Sequence, residues 1–364
     1  MASRSSENIL LVMRLLLSKE TSAQKELVRS LNLLSRRDWN LLIANLRTHR
    51  VSSFLAANLY TRGLIEGIEN ENATSRLMND YLSTYAANAL IFQETARVLK
   101  LLDAAEVKAV IWKGVMLVDD LYGDFGFRQF YDVDFEITAD ERIPLANAMK
   151  GIGYKIVDPD AGRGVFTLRK NLIEFDIHYD CKIFAGLAPQ QRVVVHTPKL
   201  LAVNSYHKLE RGVSFVHNLL HMIGHKSNQG YLFSRFVDIA MILREWASDI
   251  NEESFNTFEM SSAMRQEFLY ICTFLKQYFC CEVPAWLISE SPLPRRFDID
   301  ILIGDSRLAT WGFPSWRAYP RLALSLIGLR ETREHQTFFI QDILHTRRFP
   351  EELELTKTLA QEIF

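Results

Sequence analysis

Asp132, Asp134 and Asp176 are the residues of this chain best suited to do chemistry. The run Asp132-Val133-Asp134-Phe135-Glu136-Ile137 alternates acidic and apolar side chains, and Ile173-Glu174-Phe175-Asp176-Ile177-His178-Tyr179 alternates polar and apolar ones. Side chains on a strand point to opposite faces in turn. Each run therefore predicts a strand with one polar face: Asp132, Asp134 and Glu136 on the first, Glu174, Asp176 and His178 on the second. Clustered carboxylates repel unless a cation offsets them. Oxygen-only donors of this kind suit a hard ion such as Mg²⁺ or Mn²⁺. Two such ions about 3.5–4 Å apart can hold both the attacking and the leaving oxygen of a phosphoryl displacement. One acidic strand is an ordinary wet sheet face. Two in succession, behind a glycine turn, favour the metal.

The turn is Trp112-Lys113-Gly114, where a short apolar strand gives way to a helix. A glycine there lets backbone N–H groups approach a phosphate, and the helix N-terminus adds partial positive charge. Lys113 and Arg128, four residues before Asp132, are further candidates for phosphate contact. His178 shares the acid face and is placed to touch phosphate or to orient Asp176. His217, His221 and His225 recur every four residues and so line one helical face. That spacing can chelate zinc, but no H-E-x-x-H arrangement accompanies it. A polar seam against the sheet is the favoured reading, with Asp238 pairing Arg235 or a histidine.

These side chains need a scaffold. The 364 residues carry Lys plus Arg 42 and Asp plus Glu 44, a net charge of -2. That balance argues against a surface built to neutralise nucleic-acid backbones. With 48% hydrophobic and 24% charged residues the chain reads as globular, not disordered. No stretch approaches the roughly 20 apolar residues of a membrane span. Ile9 to Leu17 is broken by Arg14 and reads as an amphipathic helix, not a signal peptide. Cys181, Cys272, Cys280 and Cys281 contain no C-x-x-C pair and read as reduced thiols of a cytoplasmic protein.

Helical periodicity runs through the first hundred residues, with Leu41, Leu42 and Leu46 on one face and a long helix over 75–103. Strands are expected over 107–112, 127–137, 154–157, 164–169 and 172–179, with helices over 115–122 and 140–149. Helix resumes from about Ser205 to the end. The expected organisation is an N-terminal helical region (1–104), an α/β core (105–203) and a C-terminal helical region (204–364).

The run from Val110 to Ile137, VIWKGVMLVDDLYGDFGFRQFYDVDFEI, resembles the signature of the uncharacterised bacterial nucleotidyltransferase family within the DNA polymerase β-like superfamily. In that family a strand ends in Leu-Lys-Gly, a helix ends near Leu-Tyr, and an Arg precedes Asp-x-Asp. IEFDIHYD resembles its third-acid strand. RDWNLLIANLRTHRV resembles its N-terminal helices, and the helix of His217, His221 and His225, followed by Arg235 and Asp238, its C-terminal region. The resemblance implies an α+β fold, with a small mixed polymerase β-like sheet between N- and C-terminal helical regions. It implies Asp132 and Asp134 as metal ligands and Asp176 as the third, catalytic carboxylate. Gly114 matches the superfamily's phosphate-binding glycine, but Val115 stands where a serine is usual, so Lys113 is expected to substitute.

The function so implied is Mg²⁺-dependent transfer of a nucleotide from a triphosphate, with pyrophosphate as leaving group. ATP is the expected triphosphate, bound by Lys113, Gly114 and Arg128. A small molecule, of the antibiotic or natural-product kind, or a peptide or protein is expected as acceptor, not nucleic acid or membrane. Glu174, His178, His217, His221, Arg235 and Asp238 are accessory candidates. Two alternatives stand beside it: a non-catalytic nucleotide- or partner-binding module on the same fold, and a hydrolase with metal on His217, His221 and His225.

Overall fold

The N-terminal periodicity folds into helices α1 (Arg4–Leu17), α2 (Thr21–Asn32), α3 (Arg36–Thr48), α4 (Ser52–Thr61) and α5 (Glu71–Ala104). The start of α3 is a capping box: Ser35 Oγ accepts from the Asp38 amide, and the Asp38 carboxylate accepts from the Ser35 amide. A cap of this kind stabilises a helix by about 1 kcal/mol. Trp39, Leu42, Ile43 and Leu46 form the buried stripe of α3. Leu41, expected among them, lies beside the stripe and is 46% exposed. The computed structural model describes residues 4–18, 21–158, 164–179, 192–229, 231–256, 258 and 260–303. Cys181 lies outside the described residues, as does the side chain of His225. The chain divides into two units, Met1–Trp311 and Gly312–Phe364, and all described residues belong to the first.

The middle of the chain builds a seven-stranded mixed sheet in the order β3-β4-β5-β2-β1-β7-β6. Its strands are β1 (Val110–Trp112), β2 (Asp132–Glu136), β3 (Lys155–Asp158), β4 (Val165–Lys170), β5 (Ile173–His178), β6 (Arg192–Val195) and β7 (Tyr206–Leu209). Gly114–Leu117 forms α6, which continues as a π-type turn from Val118 to Tyr122, and Arg142–Gly151 forms α7. The fold is α+β, with helices on either side of the sheet in the sequence. After β7 come α8 (Arg211–Gln229), α9 (Phe233–Glu245), α10 (Glu252–Asn256), α11 (Ser262–Phe279) and α12 (Ile299–Ile303). The two sets of helices meet: Arg14 Nε donates to the Tyr278 carbonyl at 2.7 Å, and one buried cluster runs from Ile9 to Leu302.

Several strands depart from the sequence reading, and β6 lies where none was expected. The run 127–137 is extended only from Asp132, and helix resumes at Arg211, not Ser205, because β7 intervenes. Four residues, Tyr-His-Lys-Leu, are too few to display a period. A buried lysine at Lys208 also argues against a strand unless a partner is known. That partner is Asp120, whose carboxylate pairs with Lys208 and Arg211. Its neighbour Asp119 accepts from the amides of Leu200 and Leu201 and from Tyr206 Oη. The two acids after Val118 thus fasten the chain entering β7 to the helix that follows β1.

Helix α5 does the same for the loop leading into β2. Asn88 Nδ2 donates to the Phe125 and Arg128 carbonyls at 2.6 and 2.7 Å, and Tyr81 Oη donates to Asp124 Oδ2 at 3.2 Å. Gly126 lies against the buried Tyr81 ring, so a Cβ there would fall 2.1 Å from Tyr81 Cε2. Overpacking of this type costs about 1–3 kcal/mol. Gly126→Ala is therefore expected to lower the free energy of urea unfolding by that amount, and an unchanged free energy would mean the loop does not rest on α5. Among the described residues, no helix is long and apolar enough to cross a membrane. Cys272, Cys280 and Cys281 are free thiols.

Candidate active site

Strand pairing brings the two acidic runs side by side. Strands β2 and β5 are parallel, with Asp132 opposite Glu174, Asp134 opposite Asp176, and Glu136 opposite His178. Antiparallel β1 puts Trp112 opposite Asp134, and antiparallel β4 puts Thr167 opposite Asp176. Directly paired residues share a face. One row across four strands therefore reads Thr167, Asp176, Asp134, Trp112. Val133, Phe135, Phe175 and Ile177 face the opposite side and are buried, as the alternation predicts.

The acid face is not wet throughout. Asp134 is 4% exposed and Glu136 8%, while Asp132 at the head of β2 opens to solvent. The cover comes from α8, whose His217 ring lies 4.1 Å from that of Trp112. Desolvation pushes the His217 imidazole well below its ordinary range, and the Lys113 charge adds to the effect, so the ring is neutral. Asp134 Oδ1 accepts from Lys113 Nζ at 2.7 Å and lies 3.3 Å from His178 Nε2. Burial alone would raise this carboxyl, but Lys113 and His178 together hold it below the usual carboxylate range. His178 thus contacts Asp134, not Asp176 as the sequence suggested. Asp176 Oδ1 instead accepts from Thr167 Oγ1 at 2.6 Å.

Asp132 behaves differently from its neighbour. Although the residue keeps contact with solvent, its carboxyl is pushed up to about 6, by desolvation first and then by repulsion from Asp134, with Lys113 opposing and Asp176 adding to the rise. Three mutually repelling carboxylates with one ammonium between them are what an added cation would relieve. The donors are all oxygen, which fits a hard divalent ion. Among the described residues, no three His, Cys, Asp or Glu side chains are already gathered to hold a metal ion. For the aspartates, Lys113 lies on Asp134 Oδ1, so the ammonium must leave that oxygen before a cation can use it. The donor set fits the ion in kind, and Lys113 supplies its charge until then.

Lys113 is held in an unusual backbone conformation, φ 55 and ψ −125. A non-glycine residue so placed costs about 1–3 kcal/mol and is kept where the surroundings over-determine it. The reversal turns the chain from β1 into α6 and lays Nζ 4.4 Å from the Trp112 ring centroid. Gly114 has a packing reason to be glycine: a Cβ would meet Phe130 at 2.8 Å.

Arg128 and Asp238, separated by 110 residues, form an ion pair in which Arg128 Nε reaches both carboxylate oxygens, at 2.9 and 3.0 Å. Tyr122 Oη donates to the same carboxylate at 2.8 Å. Desolvation works against the guanidinium, but Asp238 outweighs it and the Arg128 pKa rises. The sequence reading paired Asp238 with Arg235 or a histidine; Arg128 is a partner it did not foresee, and the Arg235 guanidinium feels the Asp238 charge as well. Lys113, Arg128, Asn218, His221, Arg235 and Asp238 line a cleft of about 290 Å³ including its open mouth. Glu174 stands apart from it, in an ion pair with Arg169 across β4 and β5.

Thr167, Arg50 and Tyr131 were not singled out by the sequence, and Trp112 was read only as the start of the turn. Trp112 and Thr167 enter through cross-strand register. Arg50 lies over Tyr131, with Cζ 5.0 Å from the ring centroid, a contact spanning two regions of the chain. No local pattern marks either kind of neighbour.

The model of a family described as uncharacterised nucleotidyltransferase matches residues 35–280. No curated protein matches the chain. Among solved structures, ANT(2")-Ia in complex with adenylyl-2"-tobramycin is similar at 10% identity, covering 49% of this chain and 98% of that one, with a TM-score of 0.38. An antigenic nucleotidyltransferase-like protein from Paracoccidioides brasiliensis is similar at 14% identity, covering 55% and 97%, also with a TM-score of 0.38.

Proposed function

The chain belongs to the uncharacterised nucleotidyltransferase family, and on that premise we propose that it transfers a nucleotide from a nucleoside triphosphate to a small-molecule or peptide acceptor, with loss of pyrophosphate. The observation that carries this reading is the register that sets Asp134 beside Asp176, with Asp132 two residues away on the same strand. Asp132, Asp134 and Asp176 would hold Mg²⁺ or Mn²⁺, which would supply charge for the α-phosphate and the departing oxygen.

The chain's own residues do the rest. Thr167 fixes one oxygen of Asp176, leaving the other to receive the proton of an acceptor hydroxyl. His178 fixes Asp134 from the side of β5. Lys113, released from Asp134, carries its ammonium on a flexible stem toward the phosphates, where a serine would otherwise serve. Trp112 and neutral His217 wall the site and keep water from the buried carboxylate. Positioning and charge neutralisation account for catalysis of this class, with no covalent intermediate on the protein. ATP as triphosphate and the cytoplasm as compartment, in keeping with the free thiols, complete the reading.

Calorimetric titration of the four ribonucleoside triphosphates, with and without Mg²⁺, tests it. Wild type is expected to bind one of them in a Mg²⁺-dependent way, and Asp132→Asn/Asp134→Asn is expected to lose that binding. Binding of none, in the presence or absence of candidate acceptors, would turn the assignment toward a non-catalytic module.

A further inference from the structure

The turn between α3 and α4 is pinned to the start of α9. His49 stacks on Phe233 with centroids 4.2 Å apart, its Nδ1 accepts from the Phe233 amide, and its carbonyl accepts from the Ser234 amide at 3.1 Å. The next residue in the turn, Arg50, has φ 57, and the residue after Ser234 is Arg235. One backbone junction thus delivers two arginines from distant parts of the chain. Arg50 leans on Tyr131, the residue before Asp132, and Arg235 enters the cleft that Arg128 and Lys113 line.

These guanidiniums crowd one another. Desolvation lowers Arg235 to about 10, and repulsion by Arg50 and Arg128 adds to it. Arg50 is lowered too, by burial first, with Arg128 contributing and Tyr131 and Asp132 opposing. Asp238 accepts from Arg128 and Tyr122, and Asp134 accepts from Lys113. Arg128 Nη1 is buried with no hydrogen-bond partner among the described residues. An orphaned charged N–H carries a desolvation cost that a bound acceptor oxygen would offset. Arg128 and Arg235 line one cleft, Arg50 lies close enough for its charge to be felt there, and planar forks of this kind match phosphate oxygens, which accept from arginine bidentately.

We propose that Arg50, Arg128 and Arg235 form a phosphate-binding subsite beside Asp132, taking either the polyphosphate tail of the nucleotide or a phosphate carried by the acceptor. The nucleotidyltransferase reading names these two carriers; the anion chemistry stands apart from it. Such a subsite favours an anionic ligand and disfavours a polycationic one.

The probe is inorganic tripolyphosphate without divalent metal, titrated into wild type, Arg50→Met and Arg235→Met, with thermal unfolding as the check on folding. Wild type is expected to bind it with salt-sensitive affinity, and each variant to bind roughly 10–100-fold more weakly. If either methionine variant unfolds, Arg50→Lys or Arg235→Lys decides at that position: lysine keeps the charge but not the fork, so affinity should still fall several-fold. Competition between tripolyphosphate and a nucleoside triphosphate, with a raised nucleotide KM in the variants, would assign the subsite to the nucleotide tail. Simultaneous binding of both, with nucleotide affinity unchanged, would assign it to the acceptor. No binding to wild type, or folded variants within about twofold of wild type, overturns the subsite. Arginine-dependent tripolyphosphate binding without any nucleotide transfer would instead keep the subsite and remove the nucleotidyltransferase reading.

Discussion

Asp134→Asn is expected to keep the fold and to lower nucleotidyl transfer by about 10²–10³-fold, the usual loss when one preorganised electrostatic contact to the reacting group is removed. Asp134 sits in the middle of the row Thr167, Asp176, Asp134, Trp112, and it alone of the three aspartates is tied to both Lys113 and His178. Asparagine matches its volume and can still hydrogen-bond those partners. It lacks the negative charge that a divalent ion requires. The Lys113 ammonium keeps a neutral amide oxygen and the face of Trp112, which limits the stability loss. The measurement is pyrophosphate release at saturating Mg²⁺, alongside circular dichroism of both proteins. A folded variant within about threefold of wild type would remove Asp134 from the metal site and leave its pairing with Lys113 a structural ion pair.

The largest stability effect is expected at Asp238. Its carboxylate, 3% exposed, satisfies Arg128 Nε with both oxygens and Tyr122 Oη with one. Breaking a buried pair by removing one partner typically costs about 3–5 kcal/mol, because the other charge stays buried and uncompensated. Asp238→Ala should therefore lose about that much in urea unfolding. Asp238→Leu/Arg128→Met should lose less than the sum of its single changes, since it removes the stranded charge as well. An Asp238→Ala cost under about 1 kcal/mol would place the pair among solvent-supported surface bridges.

The acid strands were legible because their period is two and their apolar partners are large. Val133, Phe135, Phe175 and Ile177 share one buried face of the sheet, and that orientation sends Asp132, Asp134 and Asp176 to the other. The Lys113-Gly114 reversal was legible as a break between two patterns. Strand β7 was not, because a buried lysine in a four-residue strand makes sense only beside Asp120, 88 residues away. The position of Arg128 near the acids was legible, but not its pairing with Asp238, since any of several cations or histidines could have reached that carboxylate.

By itself, then, the sequence determined which residues carry charge, which strand faces they occupy and where the chain reverses, because strand period and steric size act over a few residues. Tertiary structure decided that Asp134 is buried and Asp132 open, that Lys113 and His178 share Asp134, and that His49 brings Arg50 to Arg235. Those outcomes depend on which distant elements meet. Register between strands, and the docking of α9 on the α3–α4 turn, are set by packing of the whole core, and local spacing carries no record of it.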